Sequence, residues 1–281
     1  MKPPQMVIFT DLDETLLDYE HYRFAAALPA LRQLKSRNIP LILNSSKTSA
    51  EIKQLRVSLD NRHPYVAENG AAIFIPEDYF NTEFPFQKRK SPYLMVEMGT
   101  PYRDLRKALE QIKRTINLPI VGFGDLTPQD LKQLTGLSLE EAELALQRQY
   151  DEPFFVEGRA ASTVVQELSA IVSELGLHLT TGGRFFHLMG NNDKGRAVKI
   201  LHALFEKDCG PVRTVGLGDS LNDLPLLQAV DEPILVQKPN RVYDQGVLDQ
   251  IKPTLAPGVG PVGWNNAVIA LLRNSGSRYK C

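Results

Sequence analysis

Apolar residues fall along the chain in short blocks, and several blocks end in a polar or charged cluster. Met6-Val-Ile-Phe-Thr10 runs without a polar break and reads as a buried strand of the kind found in parallel sheets. Phe24, Leu28, Leu31 and Leu34 recur near helical spacing and predict a helix over 22–37, with Asn38 as its stop. Pro29 marks a late start or a kink in that helix. Ile39-Pro-Leu-Ile-Leu43 predicts a second buried strand, followed by a helix over 49–59. Strand, helix, strand, helix is the signature of an α/β fold with an open parallel sheet. Tyr65–Ala67 and Ala71–Ile75 then read as strands joined by a turn at Glu68-Asn69-Gly70.

From about residue 86 the pattern changes. Strands at 93–98, 119–123 and 153–157 and a strand pair over 177–188 alternate with helices at 102–116, 127–134, 138–149 and 163–175. Ser138-Leu-Glu-Glu141 has the spacing of a capping box. A unit of about a hundred residues is of domain size. We expect an inserted α+β domain over 87–189 and a core made of 1–86 and 190–281. The core pattern resumes with a helix from Asn191 to about Glu206, a strand at 211–217, a helix over 221–229, a strand at 234–236 and a closing helix over 264–272.

Composition narrows the class. Hydrophobic residues make up 43% of the chain and suffice for a core. A formal net charge of -1 gives no reason to expect nucleic acid or a membrane surface as partner. The 2 cysteines, Cys209 and Cys281, lie far apart without metal-ligand spacing, as suits a reducing compartment. No apolar run approaches the roughly 18 residues of a membrane span, and Met1–Gln5 lacks a signal-peptide pattern. A cytoplasmic globular protein is expected.

The chemistry gathers where the predicted strands end, as ligands do in open α/β sheets. Asp11 and Asp13 follow the first strand, one residue apart. Two carboxylates that converge repel unless a cation or a shared proton intervenes. Such oxygen ligands suit Mg²⁺, and a carboxylate can also act as a nucleophile; aspartates equally serve as plain turn residues. Ser45, Ser46 and Lys47 follow the second strand and read as an anion site or as helix caps. Lys194 opens a helix, the end where the dipole favours anions rather than cations. Gly218-Asp219-Ser-Leu-Asn222-Asp223 ends a further strand, with the glycine allowing close backbone approach. Asp219 can complete the metal set of Asp11 and Asp13, and Asp223 and Asn222 can support it; Asp219 can equally cap a helix.

In combination and order, Asp11-x-Asp13-x-Thr15, Ser45, Lys194 and Gly218-Asp219-x-x-Asn222-Asp223 resemble the haloacid dehalogenase-like phosphohydrolase superfamily. The late insertion resembles its class with a large α/β lid. Ser45-Ser-Lys-Thr48, Glu68-Asn-Gly70, Thr181-Gly-Gly-Arg-Phe-Phe-His-Leu188 and Asp193-Lys-Gly195 are similar to the mannosyl-3-phosphoglycerate phosphatase family. The resemblance covers nearly the whole chain, with one departure: Glu14 stands where many relatives have glycine.

The resemblance implies that Asp11 is the nucleophile and Asp13 the acid and base. It implies that Mg²⁺ is held by the Asp11 carboxylate, the Asp13 main-chain carbonyl and Asp219, with Asp223 beside them. Thr15, Ser45 and Lys194 are then expected at the phosphoryl group. Ser46, Lys47, Gly182, Gly183, Arg184 and His187 are expected to bind the remainder of a small phosphate ester, although His187 fits a buried strand position equally well. The expected reaction releases mannosylglycerate, a compatible solute. The competing readings are a phosphatase for glucosyl-3-phosphoglycerate or another sugar phosphate, a sugar phosphomutase, and a catalytically silent binding module. The pattern is silent on the oligomeric state.

Overall fold

A computed structural model describes residues 5–116, 118–158, 161–182 and 185–277. The strands in chain order are β1 (Gln5–Thr10), β2 (Leu41–Asn44), β3 (Tyr65–Ala67), β4 (Ala72–Pro76), β5 (Lys88–Lys90), β6 (Tyr93–Glu97), β7 (Ile120–Gly122), β8 (Asp151–Val156), β9 (His178–Gly182), β10 (Phe185–Met189), β11 (Val212–Gly218), β12 (Glu232–Gln237) and β13 (Thr254–Val259). The helices are α1 (Leu28–Ser36), α2 (Ser49–Leu59), α3 (Tyr102–Thr115), α4 (Pro128–Thr135), α5 (Leu139–Ala145), α6 (Ala161–Glu174), α7 (Lys194–Cys209), α8 (Leu224–Gln228), α9 (Gln245–Leu248) and α10 (Gly260–Ser277).

The main sheet has nine strands in the order β13-β12-β11-β1-β2-β3-β4-β6-β5. From β13 to β3 all neighbours are parallel, and β4, β6 and β5 extend the sheet antiparallel. The apolar run of β1 is explained by cover on both faces. Ile8 packs into a core with Ala30 and Leu34 of α1, Ile52 of α2 and Trp264 of α10. Val7 and Phe9 point the other way, into a core with Val198, Leu201 and Phe205 of α7 and Leu226 of α8. Successive side chains of a strand face opposite sides, so one uninterrupted run fills both layers. As the sequence predicts, the first helix starts late: a 3-10 turn at Ala25–Ala27 precedes α1, and Pro29 sits in its first turn.

The second sheet is four-stranded and antiparallel, in the order β7-β8-β10-β9. It has its own core, in which Leu105, Leu109 and Ile112 of α3 meet Phe154, Phe186 and Leu188 of the strands and Val164, Leu168 and Val172 of α6. Ser138 caps α5 in a capping box with Glu141, as its spacing predicts.

One difference concerns the start of this unit. The sequence pattern groups 87–97 with the insertion, whereas β5 and β6 lie in the main sheet, with Ile73 of β4 opposite Val96 of β6. Strand propensity is local, but the choice of sheet depends on a partner far along the chain. The second sheet and its helices run from Tyr102 to Met189. Among the described residues no helix is long and apolar enough to cross a membrane.

Candidate active site

Parallel pairing brings the carboxyl ends of β11, β1 and β2 side by side. The residues that follow those strands therefore meet: Asp219 after β11, Asp11 after β1, and Ser45 after β2. Carboxylate oxygens of Asp11, Asp219 and Asp223 lie within 4.8 Å of one another, and all three residues are buried. Gly218 makes this possible, because a Cβ there would lie 2.4 Å from the Cβ of Asp223.

Lys194 enters from the side. It is the first residue of α7, its side chain is 1% exposed, and its Nζ is 2.5 Å from Asp11 Oδ1 and 2.6 Å from Asp223 Oδ1. Asp193 caps the helix by accepting from Arg196 N–H, which leaves Lys194 free for the carboxylates. The start of α7 is held close by the turn at 68–70. Glu68, Asn69 and Gly70 all have positive φ, and a Cβ on Gly70 would lie 2.0 Å from the carbonyl oxygen of Asp193. Asn44 Nδ2 also donates to the carbonyl of Lys194, at 3.0 Å.

The electrostatics show what the cluster lacks. Burial pushes the Asp11 carboxyl up to about 7, Asp223 pushes the same way, and Lys194 opposes them. Burial also raises Asp219, with Asp223 and Asp11 adding to the effect. Burial works against the Lys194 ammonium, but Asp11 and Asp223 outweigh it and raise its pKa. Three buried carboxylates thus face one ammonium. The donors are all oxygen, and a divalent cation would supply the missing charge; the residues present fit a hard ion of that kind.

The other predicted residues lie at varied distances from this centre. Thr15 is buried, and its hydroxyl donates to Asp219 Oδ1 at 3.0 Å. The Asp13 carboxylate stands apart from the buried triad, with Oδ1 3.1 Å from Lys47 Nζ. Ser45 is buried, and its Oγ accepts from Lys47 N–H. Neither serine caps α2: Thr48 does so, in a capping box with Glu51. Asn222 Nδ2 donates to Asn69 Oδ1 at 3.0 Å, which ties the loop after β11 to the turn at 68–70.

His187 is buried, with Nδ1 2.7 Å from Asp151 Oδ2. Gly182 ends β9 opposite Phe185, whereas Gly183 and Arg184 lie outside the described residues. Two cavities flank the centre. One of ≈ 210 Å³ is lined by Asn69, Thr180, Asn192, Lys194 and Asn222, among others. The other, of ≈ 470 Å³, is lined by Leu17, Tyr22, Lys47, Glu51, Leu137 and Leu144, among others.

Glu51, Arg148 and Asp151 also stand beside the site, outside the motifs. Glu51 pairs with Lys47 at i,i+4, a spacing that could have exposed it. Arg148 and Asp151 come from the second unit and meet the core only through tertiary contact.

Comparison with known proteins identifies the family. Residues 8–97 match the model of the haloacid dehalogenase-like hydrolases. A glucosyl-3-phosphoglycerate/mannosyl-3-phosphoglycerate phosphatase of Methanococcoides burtonii is 45% identical over 267 residues, covering 95% of this chain and 97% of the relative. This chain belongs to the glucosyl/mannosyl-3-phosphoglycerate phosphatase family of haloacid dehalogenase-like hydrolases. A mannosyl-3-phosphoglycerate phosphatase of Pyrococcus horikoshii is a more distant member, 34% identical over 82% of this chain and 90% of its own. A solved phosphatase of the haloalkanoate superfamily from Bacteroides thetaiotaomicron shares the fold, with a TM-score of 0.65 at 16% identity over 97% of this chain and 96% of that one. A solved subclass IIB sugar phosphatase also has a TM-score of 0.65, at 14% identity over 96% of this chain and 99% of that one.

Proposed function

We propose that this chain is a cytoplasmic, Mg²⁺-dependent phosphatase that hydrolyses mannosyl-3-phosphoglycerate and glucosyl-3-phosphoglycerate. The glycosylglycerate and inorganic phosphate are the products. The substrate assignment is supported by the relatives at 41% and 45% identity, whose names carry both sugars. Mannosylglycerate as a product suits a compatible-solute route.

In this reading Asp11 attacks the phosphorus, the ester P–O bond breaks, and an aspartyl-phosphate forms. Asp13 gives its proton to the departing glycerate oxygen. It then takes a proton from the water that attacks the phosphorus of the intermediate, and Asp11 is released as its carboxylate. One carboxyl serving both steps needs only a single proton in circulation. Asp11, Asp219 and Asp223, with the main-chain carbonyl of Asp13, would hold Mg²⁺, which supplies positive charge against the phosphoryl oxygens when bound.

Lys194 keeps Asp11 oriented and balances the charge of the group in transfer, since phosphoryl transfer is catalysed chiefly by positioning and electrostatic stabilisation. Thr15 fixes Asp219 through its hydroxyl. The unit over 102–189 acts as a cap that excludes water and selects the leaving group. Ser46, Lys47, Gly182, Gly183, Arg184 and His187 are proposed to serve the substrate's glycosylglycerate part.

The observation that carries the chemistry is the meeting of Asp11, Asp219 and Asp223 at the strand ends, with Lys194 paired to Asp11 and Asp223. The test is release of inorganic phosphate from a panel of both glycosyl esters and other sugar phosphates, with Mg²⁺. We expect both glycosyl esters to lead the panel in kcat/KM. Isomerised ester with little free phosphate, or preference for an unrelated ester, overturns the proposal.

A further inference from the structure

A buried run of alternating charges leads from the cap to Asp13. Asp151, the first residue of β8, is fully buried; its Oδ2 is 2.7 Å from His187 Nδ1 and accepts from Asn69 Nδ2 at 3.2 Å. Arg148 Nη1 lies 3.6 Å from that same oxygen. Arg148 Nη2 is 3.9 Å from Glu51 Oε2, Glu51 Oε1 is 3.5 Å from Lys47 Nζ, and Lys47 Nζ is 3.1 Å from Asp13 Oδ1.

Arg148 is the joint in this run. Its Nε donates to the carbonyl of Ala145 at 2.8 Å, which anchors it to the end of α5 in the cap. Its Nη1 donates to the carbonyl of Ser46 at 2.8 Å, in the core loop after β2. The side chain is 6% exposed. Arg148 therefore holds both ends of the core segment 46–51 from the cap side, one through the Ser46 carbonyl and the other through the Glu51 carboxylate.

The charge order explains the consequence. Lys47 stands between two carboxylates, Glu51 and Asp13. Burial works against the Glu51 charge, but Lys47 and Arg148 outweigh it and hold its pKa below the ordinary value. With Arg148 gone, Glu51 keeps one cation, draws Lys47 toward itself, and loosens the ammonium from Asp13. The Ser46 carbonyl would lose its donor at the same time. We propose that Arg148 is a positioning residue: from the cap it sets Lys47, and through the contact of Lys47 with Oδ1 it sets the carboxyl of Asp13. Docking of the cap and placement of the acid are then one event. The inference rests on the acid role proposed for Asp13.

The test uses leaving groups. An alkyl ester such as the glycosyl phosphoglycerates needs a proton on its departing oxygen, whereas p-nitrophenyl phosphate does not. The quantity to compare is kcat/KM, which reports steps through formation of the aspartyl-phosphate. Arg148→Met is expected to lose about tenfold or more both on the glycosyl ester and on a plain alkyl phosphate without the glycosylglycerate part, and less than about threefold on p-nitrophenyl phosphate, within the range general acid catalysis supplies. A loss confined to the glycosyl ester is a binding effect and overturns the positioning role.

Glu51→Gln provides a second variant should Arg148→Met fail to fold. Its amide oxygen still accepts from Thr48 N–H, but the charge that ties Arg148 to Lys47 is gone. Lys47, without that tether, shifts toward Asp13 and displaces its carboxyl from the set position, so the same skew is expected. Equal losses on the alkyl and p-nitrophenyl esters, or no loss, in the folded variants overturn the positioning role. Asp13→Asn separates the two readings. If it lacks the skew, the acid assignment falls and the inference with it; if it shows the skew while both other variants do not, only the inference falls. Should neither glycosyl ester be hydrolysed, the substrate assignment fails, and the comparison is made on whichever alkyl phosphate the wild type turns over.

Discussion

Replacing Lys194 with methionine removes the ammonium that, among the described residues, is bonded to the carboxylate cluster. The perturbation is large because Lys194 is 1% exposed and lies 2.5 Å from Asp11 and 2.6 Å from Asp223. Methionine fills most of the same volume, so the change is chiefly one of charge. Removing one partner of a buried ion pair costs about 3–5 kcal/mol. Two pairs are lost here, which argues for the upper end. Asp11 pulls the other way: burial and Asp223 already push its carboxyl up to about 7, so it can take a proton near neutrality with little further penalty. The expected loss is therefore about 3 kcal/mol at neutral pH, at the lower end of that range. Urea unfolding in the presence of a chelator measures it. Mg²⁺ should then restore more stability to Lys194→Met than to the wild type, because a cation that binds only the folded state stabilises by mass action, and in the variant it displaces a weakly held proton on Asp11 instead of competing with a fixed ammonium. Phosphate release should fall about a hundredfold or more, as when an electrostatic contact to the transferring group is removed. A stability loss below about 1 kcal/mol in the chelator, or a smaller Mg²⁺ effect than in the wild type, would refute the charge account of the site.

Other substitutions probe the frame. Gly70→Ala places a Cβ 2.0 Å from the Asp193 carbonyl at a φ of +84°; it should cost about 3 kcal/mol or more and displace Lys194, so the urea midpoint and phosphate release should fall together. Glu14 has a φ of 58°, a conformation costly for a residue with a Cβ; Glu14→Gly should gain up to about 1 kcal/mol in urea unfolding, and a loss of stability would mean that the carboxylate outweighs the strain. Burial pushes the Glu68 carboxyl up from 4.5 to about 7. Between those values the folded chain binds more protons than the unfolded one, so Glu68 contributes stability at low pH that is lost as pH rises through about 7. Glu68→Gln should accordingly flatten the fall in stability between about pH 5 and pH 7.5, read as a urea midpoint at each pH, and an unchanged slope would contradict the assignment.

How much of this was legible in the sequence depends on the range of the interaction involved. β1 and β2 are readable because strands buried on both faces must be continuous apolar runs; β11 carries Arg213 and Thr214 and is readable from its β-branched residues and the Gly-Asp that ends it. The carboxylates after β1 and β11 are readable because parallel strands end at one edge. Lys194 stands out because a lysine in a first helical turn defies the helix dipole. Assigning Tyr93–Glu97 to the insertion fails because nothing in a strand names its partner, and this one pairs back onto β4. β13 escapes the pattern because Pro257 and Gly258 interrupt it, and an edge strand tolerates both. Thr48-x-x-Glu51 is a legible capping box, but the serines just before it draw attention away. Arg148 and Asp151 carry no local signal, since their meaning arises only when the second unit packs on the first.

The central claim is that Asp11 becomes covalently phosphorylated. The most direct measurement is acid quenching of the enzyme during turnover of mannosyl-3-phosphoglycerate, followed by mass spectrometry of its peptides. The account predicts a phosphoryl group on Asp11 that is absent from Asp11→Asn and disappears when substrate is exhausted. Rapid phosphate release with no phosphoryl group on that residue at any quench time, or near wild-type turnover by Asp11→Asn, would contradict it.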